Sequence, residues 1–332
     1  MSQKETELKS MGSESRLAVV GKEGKDFIVK SHPSGNICRV EDTFAEMFSM
    51  WVGRILITAD TEEWALTSAR VATGFASSII MSPAEAGIER IVAPKETPDG
   101  RPGVIIQMFH TLGYMLKAQM MMRIGQCIMT CPTTSAFDAM GEASAKKLKI
   151  GKSLSLFGDG FQSRDTIAGR KIWKIPVMEG EFILEERFGV KRGVAGGNLL
   201  ILAENSKSAL KAAEAAVKTI KTIEGVILPF PGGICRSGSK VGSLKYKLPA
   251  STNHLFCPTL KDIVSETRIP SGVNGVYELV ANGLNLEAVQ RAVREGLKAA
   301  VNISGVIKIT AANYGGKLGP YKANLSEALK IT

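Results

Sequence analysis

Six elements in one order, strand-helix-strand-strand-helix-strand, run through this chain twice, and that duplication leaves few folds open to it. In the first pass residues 54–58 (RILIT) read as a buried strand, and Asp60 with Glu63 three places on opens a helix. Residues 77–81 (SSIIM) read as a second strand stopped at Pro83, and residues 103–108 (GVIIQM) as a third. Residues 112–124 then read as a helix and residues 126–130 as a fourth strand. In the second pass NLLIL at 198–202 stands where RILIT stood, SALKAAEAAVKTI takes the place of the first helix, and GVILPFPGG that of SSIIMSPAEAG. GVYELV at 275–280 answers GVIIQM; Leu286, Val289, Val293, Leu297 and Val301 share one helical face; GVIKI at 305–309 closes the pass. The expected fold class is α+β, built from duplicated ferredoxin-like (split βαβ) units.

The remaining residues divide around these units. Residues 1–35 form an N-terminal extension, charged and Ser-rich with partial disorder at first, then alternating enough over 16–31 for a small appended hairpin. Residues 36–137 make the first lobe, where Glu41-Asp42-Thr43 ahead of Phe44, Met47 and Phe48 predicts a short helix. Residues 138–197 alternate in short runs between glycines and read as a β-rich connector. The GKS at 151–153 is no phosphate loop, because Lys146 stands where that motif needs glycine. Residues 198–332 make the second lobe.

The lobes differ most between their second and third strands, with roughly 20 residues in the first and roughly 45 in the second, a loop insertion at 229–273. Loops of that length are functional or disordered, and Tyr246, Leu248, Leu255, Phe256 and Leu260 give this one anchors. Pro229 and Pro231 break the strand that leads into it. Ser237, Gly238, Ser239, Lys240, Gly242 and Ser243 then offer backbone N–H groups, hydroxyls and a cation, which suit a bound oxyanion or, equally, a solvated loop. The next strand carries Glu278: alternation puts Val276, Glu278 and Val280 on one face and Tyr277 and Leu279 on the other. A carboxylate between valines is costly to bury charged, so its pKa should rise toward that of a general acid or base; an edge or solvent-facing position is the alternative.

A formal charge of +10 over 332 residues calls for an anionic partner, whether nucleic acid, membrane surface or small polyanion. Lys and Arg are scattered and only five Tyr interleave with them, which weighs against RNA or DNA. Cys38, Cys127, Cys131, Cys235 and Cys257 are odd in number and complete no metal-binding pattern, so they read as reduced thiols. With no signal-like N-terminus and no run of about 18 apolar residues, a cytoplasmic protein is expected, neither secreted nor membrane-spanning.

A series of longer blocks carries a more specific signal. EDTFAEMF (41–48), SSIIMSPAEAGIE (77–89), ETPDGRPG (96–103), RIGQCIMTCPTTSAF (123–137), LFGDG (156–160) and IPVMEGEF (175–182) are followed by GVAGGN (193–198) and PFPGGICRSGSKVGS (229–243). STNHLFCPTLKD (251–262), VNGVYE (273–278) and NYGGKLGPYK (313–322) complete the series. In these blocks and their order the chain resembles formylmethanofuran-tetrahydromethanopterin formyltransferases over residues 36–322. The resemblance implies a duplicated ferredoxin-like fold, a homodimer or homotetramer, and cytoplasmic one-carbon metabolism in methanogenic archaea or methylotrophic bacteria. It implies formyl transfer between the amine of methanofuran and N5 of tetrahydromethanopterin, both acting as coenzyme substrates, with no metal and no prosthetic group. Both substrates carry acidic tails, which gives the surplus of Lys and Arg a use. Bacterial relatives act within a formyltransferase/hydrolase complex, so other subunits are expected as partners too. The chain departs from the family in its extension at residues 1–35 and in its basic balance.

No G-x-S-x-G elbow occurs, and His32, His110 and His254 have no nucleophile beside them in the sequence, so the histidines read as structural and a covalent acyl-enzyme is disfavoured. Direct attack of the pterin amine on the formamide needs aligned substrates, donors for the oxyanion and one proton shuttle. The resemblance assigns the shuttle to Glu278. Candidate donors and substrate anchors are Gly232, Gly233, Ser237, Ser239, Lys240 and Ser243, followed by Tyr277 and Asn198. Pro83, Glu85, Asp99 and Arg101 occupy the corresponding loops of the first lobe, where they would line a cleft shared between subunits. Two readings compete with this one. A complex subunit could keep the fold and lose the chemistry, against which Glu278 and the intact loop stand. A nucleic-acid binder would find one stacking ring, Tyr277, on the third strand of the second lobe.

Overall fold

The computed structural model describes residues 16–32 and 34–329; the expected disorder of residues 1–15 lies outside them. Strands β1 (Arg16–Glu23) and β2 (Asp26–His32) form a hairpin, followed by β3 (Ile37–Glu41) and the 15-residue β4 (Phe44–Thr58). Helix α1 (Glu62–Ala72), β5 (Glu85–Val92), β6 (Gly103–His110), helix α2 (Gly113–Arg123) and β7 (Ser135–Asp138) complete the first half. The middle of the chain holds β8 (Lys146–Leu148), the short α3 (Ile150–Leu154), β9 (Ser163–Ile167), β10 (Arg170–Val177) and β11 (Gly180–Glu185). The 16-residue β12 (Phe188–Ala203), α4 (Ser206–Ile220) and β13 (Val226–Ile227) open the second half, and β14 (Ser239–Val241) and β15 (Ala250–Thr252) lie in the insertion. Strand β16 (Gly275–Gly283), helix α5 (Leu286–Val301), β17 (Val306–Thr310), β18 (Tyr321–Asn324) and the short α6 (Leu325–Ala328) close the chain.

The architecture is α+β around one large mixed sheet. In the first half the strands pair in the order β7-β4-β6-β5, and in the second in the order β17-β12-β16-β13. The two sets merge because β4 and β12 are long enough to serve successive neighbours. Residues 48–53 of β4 pair antiparallel with residues 190–195 of β12, while the far end of each strand pairs within its own set. Helices α1 and α2 bury Ala65, Ala69, Leu116 and Met120 with Ile55, Ile57, Val104 and Ile106. Helices α4 and α5 bury Ala212, Ala216, Val289 and Leu297 with Leu199, Ile201 and Leu279. Asn205 and Asn285 cap these two helices, accepting from Ser208 N at 2.9 Å and Ala288 N at 2.8 Å. Helix α5 lies so close to β12 that Gly197 has no room for a Cβ, which would fall on Val289 Cγ1.

Several expectations need correction. Residues 44–48 are the start of β4, not a helix: pairing with β18 supplies their hydrogen bonds, and Met47 and Ala45 are buried by tertiary packing that a helical count does not register. Residues 77–81 are turns, with Ser82 N on Ser78 O at 2.7 Å and Met81 exposed; the strand is β5, whose glutamates mask its period. Residues 124–128 prolong α2 as a π-turn, and the fourth strand comes later, at β7. The hairpin at 16–31 forms, but it continues the sheet, because β2 pairs with β3 and β3 with β17. The boundary expected at 197/198 falls inside β12.

Carboxylates on β5 join the halves. Glu89, its side chain fully buried, takes a two-point contact from Arg54 (Nη2–Oε1 2.6 Å, Nε–Oε2 2.8 Å), then Gln107 Nε2 at 2.7 Å and, from the second half, Gly225 N at 2.9 Å. Glu85 accepts from Ile79 N at 2.9 Å and from Asn282 Nδ2 at 2.6 Å, and Asn282 Oδ1 receives Gly196 N at 3.1 Å. Between them a Cβ on Gly87 would stand 3.1 Å from Ile227 Cβ, so glycine permits β5 and β13 to touch. Replacing Glu89 by Ala leaves the Arg54 guanidinium with only the exposed Glu224 at 3.2 Å and Ala139 O at 3.1 Å, and leaves Gln107 Nε2 and Gly225 N without their acceptor. Denaturant unfolding should show a loss of about 3–5 kcal/mol; a loss below about 1 kcal/mol would mean that the pair does not hold the halves together.

Candidate active site

The sheet of the second half is covered by different material on its two faces, and that difference makes the site. Leu279 and Ala281 of β16 face α4 and α5. Val276 faces the other way, with Leu200 and Leu202 of β12 and with Phe256, Ile269 and Val273 of the insertion. Glu278 lies on this insertion side, as alternation along the strand requires. Leu200 is its partner on β12. Cys235 is its partner on the free edge, through Cys235 N to Glu278 O at 2.8 Å and Glu278 N to Cys235 O at 3.1 Å.

Glu278 opens into a cavity of about 350 Å³ whose lining includes Cys235, Arg236, Ser237, Asn253, Phe256 and Tyr277. Burial pushes its carboxyl up to about 7, and a hydrogen bond from the Cys235 thiol pulls the other way. Arg236, exposed at the rim, has no ion-pair partner among the described residues and can hold an anion. A carboxyl that titrates near neutrality in a small half-open cavity can take and return one proton. The two thiols on the lining, Cys235 and Cys257, have no imidazole in that lining to activate them.

Glu278 and Ser237 are thus brought together; Tyr277 also borders the cavity, but its ring packs on the opposite face of β16 with the α4–α5 core. Ser239, Lys240 and Ser243 stand just beyond, in and beside the β14–β15 hairpin: Lys240 Nζ donates to Ser251 Oγ at 2.8 Å, and Tyr246 N to Ser243 Oγ at 3.1 Å. Gly232 and Gly233, with φ of 65° and 90°, line a different space, a cleft of about 810 Å³ between the loop and the first half, together with Arg70, Phe75 and Lys221. Asn198 is buried on the Glu278 side of β12, but its amide holds the backbone of Ala312 (Nδ2 to O 2.9 Å, N to Oδ1 2.7 Å). Pro83 follows the turn at 77–82, and Glu85 is a junction residue. Asp99 and Arg101 line a third space of about 200 Å³; Arg101 spends its donors on Asp99, Asp60, Thr133 and Ser135. His110 Nδ1 accepts Leu112 N at 2.9 Å, a structural use.

Sequence reasoning names Phe256 only as an anchor and Cys235 only as a thiol, and does not single out Arg236 or Asn253. Their blocks, GGICRSG and STNHLFC, were visible; the strand-edge bridge that carries the first onto Glu278 was not. The loop at 313–319 supports the insertion from behind. Glu46 of β4 accepts Tyr314 N at 2.6 Å, Gly316 N at 3.2 Å, Gly319 N at 3.0 Å and also Leu318 N, while Tyr314 Oη receives Val241 N at 3.2 Å. Burial raises the Glu46 pKa, but these four N–H groups outweigh it and hold the carboxyl below its ordinary value.

The folded pKa of Glu278 lies above the ordinary 4.5, so the folded state binds the extra proton between 4.5 and about 7. Stability linked to this group is complete below the lower value and is lost as pH rises through the upper one. Unfolding of the wild type and of Glu278→Gln between about pH 5 and 8 should therefore diverge, the wild type losing roughly 1–3 kcal/mol relative to the variant. Parallel curves would mean an ordinary, hydrated carboxylate.

Comparison with known proteins identifies the family. Residues 34–177 match the family described as formylmethanofuran-tetrahydromethanopterin formyltransferase, and residues 180–328 match the family described as FTR, proximal lobe. The formyltransferase of Methanocaldococcus jannaschii is 56% identical over 291 residues, 87% of this chain and 97% of that protein. That of Methanopyrus kandleri is 55% identical over 295 residues, 88% of this chain and 98% of that protein. Among solved structures the Methanosarcina barkeri enzyme superimposes with a TM-score of 0.85 at 52% identity, covering 89% of this chain and 99% of that one. A chain of the formyltransferase/hydrolase complex of Methylorubrum extorquens, solved with methylofuran, gives 0.86 at 43% identity, covering 92% and 100%.

Proposed function

We propose that this chain, which belongs to the formylmethanofuran-tetrahydromethanopterin formyltransferase family, moves the proton of its reaction through Glu278. The protein is an acyltransferase that passes a formyl group between methanofuran and tetrahydromethanopterin. The observation that carries the proton assignment is the Glu278 carboxyl itself, raised to about 7 in a cavity whose far walls come from the insertion. In the direct mechanism the N5 amine attacks the formyl carbon, a C–N bond forms, and the carbonyl electron pair moves onto oxygen. Ionised Glu278 takes the proton from N5. As the oxyanion collapses, the bond to the methanofuran nitrogen breaks and that nitrogen receives the same proton, so the carboxylate is regenerated. The donor side of the site is drawn from Ser237 at the cavity, with Ser239, Lys240 and Ser243 beside it. Gly232 and Gly233 are the route by which the loop reaches the neighbouring cleft, which suits a longer part of a substrate.

The finer fold reading is also ours: two duplicated ferredoxin-like units, supported by the matching orders β7-β4-β6-β5 and β17-β12-β16-β13. No helix among the described residues is long and apolar enough to cross a membrane, and a cytoplasmic homodimer or homotetramer fits the family. A second reading, action inside a multisubunit complex, rests on the likeness to a chain of the Methylorubrum extorquens formyltransferase/hydrolase complex. Transfer by the purified protein alone separates the two readings, since a subunit that depends on its partners would be inactive by itself.

Formyl transfer followed by absorbance should show kcat/KM rising with pH through an inflection near 7. Glu278→Gln should lower it about 100-fold or more. A variant as fast as wild type would remove Glu278 from the chemistry.

A further inference from the structure

The direct mechanism needs a donor where the formyl oxygen becomes an anion, and one lining residue of the Glu278 cavity has a side chain with no other employment. Asn253 is 9% exposed. Its backbone is committed: Asn253 N donates to Gly238 O at 3.3 Å, and Asn253 O receives Phe256 N at 2.9 Å and the Cys257 thiol at 3.4 Å. Asn253 also stands at the cap position of the short 3₁₀ turn His254–Phe256, where an asparagine would ordinarily accept an N–H, yet its side chain makes no capping bond. The side-chain amide has no hydrogen-bond partner among the described residues, while the residue lines the cavity. Its amide atoms are not among the solvent-shielded polar atoms that lack a partner, so they open onto accessible space. The main chain holds Asn253 in place, and the free end of its side chain is left for a ligand.

We infer that Asn253 is a catalytic residue, its Nδ2–H donating to the formyl oxygen as negative charge develops there. The inference rests on the assignment of transfer to the Glu278 cavity. A space of about 350 Å³ shared by Glu278 and Asn253 puts one reacting centre within reach of both, the carboxylate on the nitrogens and the amide on the oxygen. The other polar groups are less suited. Ser237 Oγ lies 3.5 Å from Cys235 Sγ, Tyr277 packs with the α4–α5 core, and Arg236 is exposed at the rim, where solvent screens its charge. A neutral amide fixed before the reaction gains when the oxygen becomes charged, which is the differential that accelerates a step.

Steady-state kinetics and thermal unfolding of Asn253→Ala, Asn253→Asp and Glu278→Gln test this. Asn253→Ala should lower kcat about 100-fold or more, with KM for both substrates within about threefold of wild type. Its pH inflection should stay near 7 and its Tm should be unchanged, because the amide it removes makes no hydrogen bond within the protein. Asn253→Asp, nearly the same shape with a negative charge facing the oxyanion, should be as slow or slower. A kcat within about threefold of wild type in either variant overturns the inference. So does a loss of rate accompanied by a lowered Tm, which marks a structural role, or by a moved inflection, which marks action through Glu278. Slow Asn253→Ala beside fast Glu278→Gln would remove Glu278 from the chemistry and keep the donor. The opposite pair would keep Glu278 and remove the donor.

Discussion

The ladder between β4 and β12 is the contact on which the rest of the molecule depends. Each strand spends one end on its own half and the other on its partner, so the two four-stranded sets share hydrogen bonds and not merely a surface. The junction behind it is polar. Glu85 and Glu89 leave β5 toward Asn282 and Gly225, and each finds donors from both halves of the chain. Buried carboxylates satisfied from two sides specify one register, because a shift would leave them unpaired.

With α4 and α5 on one face of the second set, the other face is left to the insertion. The insertion covers it incompletely. Phe256, Ile269 and Val273 seal the end near Leu202, while the edge bridge at Cys235 holds the glycine-rich start against β16 and leaves Glu278 in a confined opening. The raised pKa of that carboxyl thus comes from a loop packed over a strand, with no neighbouring anion needed. Glu46 contributes at a distance, since its four backbone contacts fix the segment whose Tyr314 meets β14.

Much of this was legible in the chain. The long amphipathic helices, the third strand of each pass and the face of Glu278 all follow from periodicity, which is a local property. The errors share one cause. β5 was overlooked in favour of SSIIM because Glu85 and Glu89 look solvent-seeking, whereas their partners lie far along the chain. Phe44, Met47 and Phe48 fit a helix until β18, almost 280 residues later, pairs with the first two and β12 with the third. Asn253 was invisible as a candidate because being unpartnered is a property of the folded surroundings and has no signature in composition.

The sharing of β4 and β12 also bears on how the polypeptide can be divided. A cut in the connector between them separates two pieces, each exposing a strand whose hydrogen-bonding partner lies on the other. Such halves would be fragments that complement one another, reassembling along the ladder when mixed, and not modules that can be exchanged, fused or inherited singly.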